Sequence, residues 1–332
     1  MITFLPFRPG SAAAGLVALW AAAPLRAQVT RITPELMTHH IGVLADDSMR
    51  GRATPSPELE LAAQYVEGVF RRAGLAPGGE SNGYVQRFPA NGQSVANGTA
   101  PNIIGVLPGQ DPRLAGEYVV VVAHLDHLGV GRPVGGDSIR NGADDNASGT
   151  SGVLALAEAL AGAPRPKRSI LFLVVSGEER GLVGSRWYVE HPTVPLDSLA
   201  ALVNLDMISR NRPDSVYLNG WGKSEVSDLV RRLAAEHGEL GLSVGPDEED
   251  RPVTPADSDH WPFQRRGVPY IFFYTGEHPD YHRVSDEPRR ADGDKASRVA
   301  RLAYYTLLDL ANAPSRPAWD PAARQRNVPD SR

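Results

Sequence analysis

The chain has 332 residues, 42% hydrophobic and 22% charged, with a formal net charge of −5. That is an ordinary globular composition with room for a sizeable core, and so mild an acidity gives no reason to expect nucleic acid or an anionic membrane as a partner. Cysteine is absent, which excludes thiol nucleophiles, thiolate metal sites, disulfides and a lipobox, so any metal must be held by nitrogen and oxygen.

In chain order, Arg8 precedes an apolar run from Ala12 to Ala23, with small residues at Ala23 and Ala27. This reads as a secretory signal peptide over 1–27, too short to span a bilayer comfortably, against the alternative of a buried alanine-rich helix. The expectation is therefore export, periplasmic or secreted, with no stable membrane insertion once the signal is removed. Residues 33–46 open with Thr33-Pro34-Glu35, a helix-start signal. Residues 57–73 place Leu59, Leu61, Ala62, Tyr65, Val66 and Phe70 on one helical stripe that stops at Gly74. Residues 76–101 are rich in Gly, Pro, Asn and Ser and read as a loop or short hairpin.

From Asn102 the pattern alternates. Strands are expected at 103–107, 118–125, 169–176, 201–208, 216–220 and 268–275. Helices are expected at 149–163, 181–190, 224–238 and 295–313. The stretch between Leu125 and Gly149 reads as a polar turn crowded with acids, and residues 243–257 as an acidic, proline-rich loop. Such alternation argues for an α/β three-layer sandwich, a mostly parallel (mixed) central sheet flanked by helices. One domain is expected over 28–313. The tail 314–332 cannot build a core and is expected to be disordered.

Chemistry-bearing residues fall where buried strands stop. His124 and Asp126 share one side of a strand end, so His124 can bind a metal while Asp126 receives its other ring N–H. A hydrogen-bonded core histidine is the plainer reading of that tripeptide alone. Asp144, Asp145 and Asn146 sit in a glycine-bounded turn before a helix, where helix capping is the alternative. Glu178 and Glu179 follow the apolar strand 169–176 and cannot both face one way, so one would ligate and the other act as a base. Asp206 lies inside an apolar strand, where a carboxylate costs several kcal/mol unless paired or metal-bound. Its alternative is a salt bridge to Arg210. His282 follows the strand at 268–275. His278 has i, i+4 spacing to it, but Pro279 argues against a helical zinc pair and leaves His278 in a loop. Two divalent cations would balance Asp145, Glu179, Asp206 and a bridging hydroxide, the composition of a two-metal hydrolase site. Zinc suits imidazole and carboxylate ligands best, with manganese or cobalt as substitutes.

The series AHLDHLG, NGADDNASG, SGEERGLVGS, VNLDM, SDHWPF and YHRVSD, running from about Asn102 to Asp286, resembles the co-catalytic zinc exopeptidases of metallopeptidase family 28, bacterial leucyl aminopeptidases included. The resemblance implies one zinc on His124, Asp145 and Asp206 and another on Asp145, Glu179 and His282, with Asp145 bridging. It further implies Glu178 as general base, Asp126 as the group orienting His124, and Tyr281 as stabiliser of the tetrahedral intermediate. A cis peptide at Asp145–Asn146 is also implied. Many exported relatives insert a protease-associated domain before the strand beginning at Asn102, and here only about 25 loop residues stand there, which implies one domain. The substrate implied is a peptide cleaved at its N-terminal bond; nothing in the sequence speaks to oligomeric state. Rival readings are a carboxypeptidase or dipeptidase on the same metals, a glutaminyl cyclase-like acyltransferase with a single zinc, and a non-catalytic binding ectodomain, which would lack ligands.

Overall fold

The computed structural model describes residues 28–90, 98–246 and 258–327. The signal-like stretch 1–27 and the loop residues 247–257 lie outside the described residues. Helix α1 (Pro34–Leu44) begins where expected, with the Thr33 hydroxyl accepting the Leu36 amide. Helix α2 (Pro57–Ala73) is capped by Ser56 and ends on Gly74 at φ 78°. Leu61, expected on its apolar stripe, is instead 50% exposed. It lies two positions from Leu59, about 200° round the helix, and so points to solvent.

The stretch after α2 is more ordered than its composition suggests. Strand β1 (Ala76–Pro77) and strand β2 (Val85–Ala90) both pair antiparallel with β3 (Gly98–Leu107). Strand β3 therefore starts five residues before the expected Ile103. Its first half pairs only with β2, and in that two-stranded ribbon Pro89 and Pro101 need not donate to a further neighbour. Strand β4 (Tyr118–His124) follows. A hairpin of β5 (Gly129–Val134) and β6 (Asp137–Arg140) then occupies part of what reads as a polar turn. Its signal is Gly135-Gly136, both at positive φ, between two short runs.

Helix α3 (Gly149–Ala161), strand β7 (Ser169–Val175), helix α4 (Val183–Glu190) and strand β8 (Leu199–Leu205) complete the centre. They are followed by β9 (Ser215–Asn219), α5 (Glu225–Glu236), β10 (Ser243–Gly245), α6 (His260–Gln264), β11 (Tyr270–Tyr274), α7 (Gly293–Asn312) and α8 (Pro321–Asn327). The main sheet runs β1-β3-β7-β4-β8-β11-β9-β10, with β2 also on β3. Strands β7, β4, β8 and β11 are mutually parallel; β3 runs against its neighbours, and β9 runs against β11 with β10 parallel to it, so the sheet is mixed. Val119, Val121 and Ala123 face a core shared with α1, α2, α3, α5 and α7, whereas Val120 and Val122 face a smaller core with Tyr188 and Phe263 of α4 and α6. Period-two alternation in a run of valines thus fills two cores, the pattern of a sheet covered on both faces.

The tail departs from expectation. Over 314–327 it docks: the Trp319 indole donates to the Gly267 carbonyl at 2.8 Å, its ring meets Tyr270, and Arg316 donates to the Glu117 carboxylate at 3.0 Å. One aromatic anchor and an ion pair hold a segment too polar to fold alone. Among the described residues no helix is long and apolar enough to cross a membrane.

Candidate metal centre

The chain winds outward from β4 to β7 and then crosses back to β8, so a crevice opens at the carboxyl ends of these strands. Strand β4 delivers His124. Its Nδ1 contacts the Asp126 backbone carbonyl at 3.2 Å, which turns Nε2 inward. The expected role of the Asp126 carboxylate is thereby corrected: it lies 3.8 Å from Nδ1 and instead accepts the Glu178 amide at 3.2 Å. Asp126 holds His124 through its backbone and the glutamate turn through its side chain.

Asp145 arrives on the turn that follows Gly142. At φ 60°, Gly142 leaves no room for a side chain, since a Cβ would stand 2.2 Å from the Asp145 carbonyl and 2.4 Å from the His127 ring. The Asp145–Asn146 peptide is cis. Asp286 accepts the amides of Asp144 and Asp145 at 3.1 and 3.2 Å, and Asn146 accepts those of Gly149 and Met207 at 2.9 and 3.2 Å. So fixed, Asp145 places Oδ1 3.4 Å from His124 Nε2 and Oδ2 3.2 Å from His282 Nε2.

Two residues past β7 the chain reaches Gly177 at φ 77°, and the tight turn that follows separates the two glutamates. Glu179 sets Oε1 2.7 Å from His127 Nδ1 and Oε2 3.2 Å from His282 Nε2. Asp206, just past β8, has Oδ1 3.3 Å from His124 Nε2, while Oδ2 accepts the Ser258 hydroxyl at 2.8 Å. Ser258 is held in turn by Asn204 at 2.7 Å. The salt-bridge alternative for Asp206 falls away, because Arg210 bonds Asp280 at 2.6 Å. His282 lies after β11 at φ 58°, with Tyr281 stacked on its ring at 3.8 Å. All the expected site residues therefore meet at one rim. His278 is not among the converging donors; its Nε2 faces Asp144 Oδ2 at 3.3 Å.

The electrostatics are those of too many acids in too little water. Burial pushes the Asp126 and Asp206 carboxyls up and raises Asp259 to about 7. Burial, with Asp259, Asp206 and Glu179 nearby, lifts Glu178 well above the usual carboxylate range despite His124. Glu179 goes the other way: burial would raise it, but the imidazoles of His127 and His282 outweigh that and hold it ionised. For His282 burial is likewise outweighed, by Asp145 and Glu179, and its pKa rises to about 10. Tyr281 is pushed up by burial and then by the carboxylates of Asp145, Glu179 and Asp206. Asp145 Oδ2, Asp206 Oδ1, Glu179 Oε1 and His127 Nδ1 are buried without a hydrogen-bond partner among the described residues. A buried carboxylate oxygen in that condition costs several kcal/mol unless a cation satisfies it. The donors fall into two sets, His124 with Asp145 and Asp206, and His127 with Asp145 and Glu179, within 4.8 Å in each. The arrangement suits metal cations held by nitrogen and oxygen.

Several contributors escape a reading of the sequence. His127 does so because it abuts Asp126 outside the strand. Arg52 is fully buried, donating from Nε to the Leu125 carbonyl at 2.8 Å and from its amino groups to the carbonyls of Leu44, Asn141 and Gly142. Burial lowers its pKa to about 10, yet it remains the charge that faces the acids. Asp144, to which the sequence assigns no role, accepts the Ser209 amide and hydroxyl at 2.8 and 2.6 Å and so anchors the Asp145 turn. Nothing in one sequence marks these contacts, which join residues far apart in the chain.

A mixed sheet between helical layers, with this donor set at its rim, defines the zinc exopeptidase class of α/β proteins. The chain belongs to peptidase family M28, whose model matches residues 102–307. It is similar to the aminopeptidase YwaD of Bacillus subtilis (strain 168), 28% identical, over 68% of this chain and 48% of that one. Its fold is shared with the LapA aminopeptidase of Legionella pneumophila, TM-score 0.68 at 20% identity, over 88% of this chain and 75% of that one. It is shared also with a glutaminyl cyclase of Porphyromonas gingivalis, TM-score 0.64 at 18% identity, over 83% of this chain and 97% of that one. The chain spans about half the length of the curated relatives it matches.

Proposed function

We propose that the protein is an exported di-zinc aminopeptidase that hydrolyses the N-terminal peptide bond of peptides. The observation that carries this reading is the bridging geometry of Asp145, whose two oxygens face two different imidazoles, each with a further carboxylate beside it. His124, Asp145 and Asp206 would hold one zinc; Asp145, Glu179 and His282 the other. Bound zinc would lower the pKa of water and polarise the substrate carbonyl. Glu178 takes the proton of the attacking water and returns it to the leaving amine, a role that suits a carboxyl whose proton affinity burial has raised above the usual carboxylate range. Asp126 holds both His124 and the Glu178 amide, so the first ligand and the base move as one unit. Tyr281, stacked on His282, donates a hydrogen bond from its hydroxyl to the oxyanion of the tetrahedral intermediate, and burial together with the surrounding carboxylates keeps it protonated.

YwaD and LapA are both named aminopeptidases, which favours that action here, whereas the glutaminyl cyclase neighbour shows that the fold alone does not choose. The full donor set argues against a single-zinc cyclase. The N-terminal run of 1–27 supports export. The test is zinc content together with turnover of aminoacyl anilides, of peptides with free or amidated C-termini, and of N-terminal glutaminyl peptides. The expected result is two zinc per chain and release of N-terminal residues whether or not the C-terminus is free. Dependence on a free C-terminal carboxylate would select the carboxypeptidase reading, and cyclisation with one zinc the cyclase.

A further inference from the structure

We propose that His127 is a ligand of the second metal position, alongside Asp145, Glu179 and His282. The inference rests on the two-metal reading and adds a third imidazole to it. The His127 side chain is fully buried, and its Nδ1 has no hydrogen-bond partner among the described residues. It stands 2.7 Å from Glu179 Oε1 and 3.6 Å from Asp145 Oδ2. The shorter approach is not a hydrogen bond of acceptable direction, for Glu179 Oε1 is itself unpartnered. Two polar atoms so close, buried and not bonded to each other, share a need that a cation lying beside both meets.

Three of the four spacings fit that cation, the 2.7 Å approach of His127 to Glu179 Oε1 being shorter than the others. Donors at tetrahedral corners about 2.0–2.1 Å from zinc stand roughly 3.3 Å apart. His282 lies 3.2 Å from Asp145 Oδ2 and 3.2 Å from Glu179 Oε2, and His127 lies 3.6 Å from Asp145 Oδ2. The same edge recurs at the first position, where His124 stands 3.4 and 3.3 Å from Asp145 and Asp206. The rings of His127 and His282 meet edge to face with centroids 5.7 Å apart, so both imidazoles converge on the Asp145–Glu179 pair. His127 is held from behind by Gly142, whose missing side chain is the space its ring occupies. Each position would then differ in character: two carboxylates and one imidazole at the first, two of each at the second. The neutral imidazole adds a donor without altering the charge balance.

The experiment is zinc titration of the chelator-stripped protein against a chromophoric competitor, with X-ray absorption of the two-zinc form to count imidazoles. The expected result in the wild type is three imidazoles per two zinc. In His127→Ala and His127→Asn the affinity of one equivalent should fall at least tenfold, with the other unchanged. The unfolding midpoint of the stripped protein reports whether the variants fold. Two imidazoles per two zinc in the wild type would overturn the proposal even if neither variant folds. Affinities in both variants within twofold of the wild type would overturn it too. Fewer than two tight zinc sites in the wild type would overturn the two-metal reading itself, and this proposal with it.

Discussion

Asp145 is the residue on which the centre turns, because its oxygens face His124 and His282 separately while two backbone amides beside it are tied to Asp286. A carboxylate so placed has little freedom to choose one partner. The two neighbouring glutamates are separated by environment rather than by chemistry: burial raises Glu178, and two imidazoles hold Glu179 ionised. Replacing Glu178 with Gln should therefore leave both zinc ions bound and lower kcat by about a hundredfold or more, the usual worth of a positioned base. Metal analysis and steady-state kinetics on one preparation check both halves; unchanged kcat would refute the assignment. Asp206→Asn should instead remove one zinc equivalent, read by mass spectrometry of the metal content. The strand-end residues were legible because a buried apolar run that stops on a histidine or acid is conspicuous. His127 was not, since it stands three positions past the strand and its partner Glu179 is 52 residues on.

At the scale of elements, the parallel strands β4, β7, β8 and β11 each give the rim one part of the site, and the turns after them set the angles. These strands were legible from their β-branched runs and the helices from their caps. The early start of β3 was not, because the prolines and glycines there report local freedom whereas pairing supplies the order, and the Gly135-Gly136 turn of the hairpin β5–β6 is masked by the polar runs on either side of it. Gly142→Ala is expected to destabilise by more than about 1 kcal/mol, since it adds a Cβ at positive φ against a carbonyl and the His127 ring. Chemical denaturation gives that number, and zinc affinity should fall in parallel. Arg52→Met should cost about 3 kcal/mol by the same measurement. It leaves the carbonyls of Leu44, Leu125 and Asn141 buried without their arginine donor, whereas that of Gly142 keeps the Ala147 amide. A loss under about 1 kcal/mol would show that those carbonyls find water instead.

Across the whole molecule, the α/β layering followed from the alternation of apolar runs, and its consequence, a ligand crevice at β4, followed from the strand order. The tail illustrates the limit of composition as a guide. Residues 314–327 are polar, yet Trp319 reaches Gly267 and Tyr270 and stitches the chain end to the face opposite the large core. Trp319→Ala is expected to lower stability by about 1–2 kcal/mol without changing zinc content, an indole hydrogen bond and a ring contact being lost. The most direct test of the central claim is activity as a function of zinc returned to the stripped protein. Turnover of an aminoacyl anilide should rise until two equivalents per chain and then level. Full turnover at one equivalent, or turnover that survives complete removal of metal, would contradict a bridged two-zinc centre as the source of the chemistry.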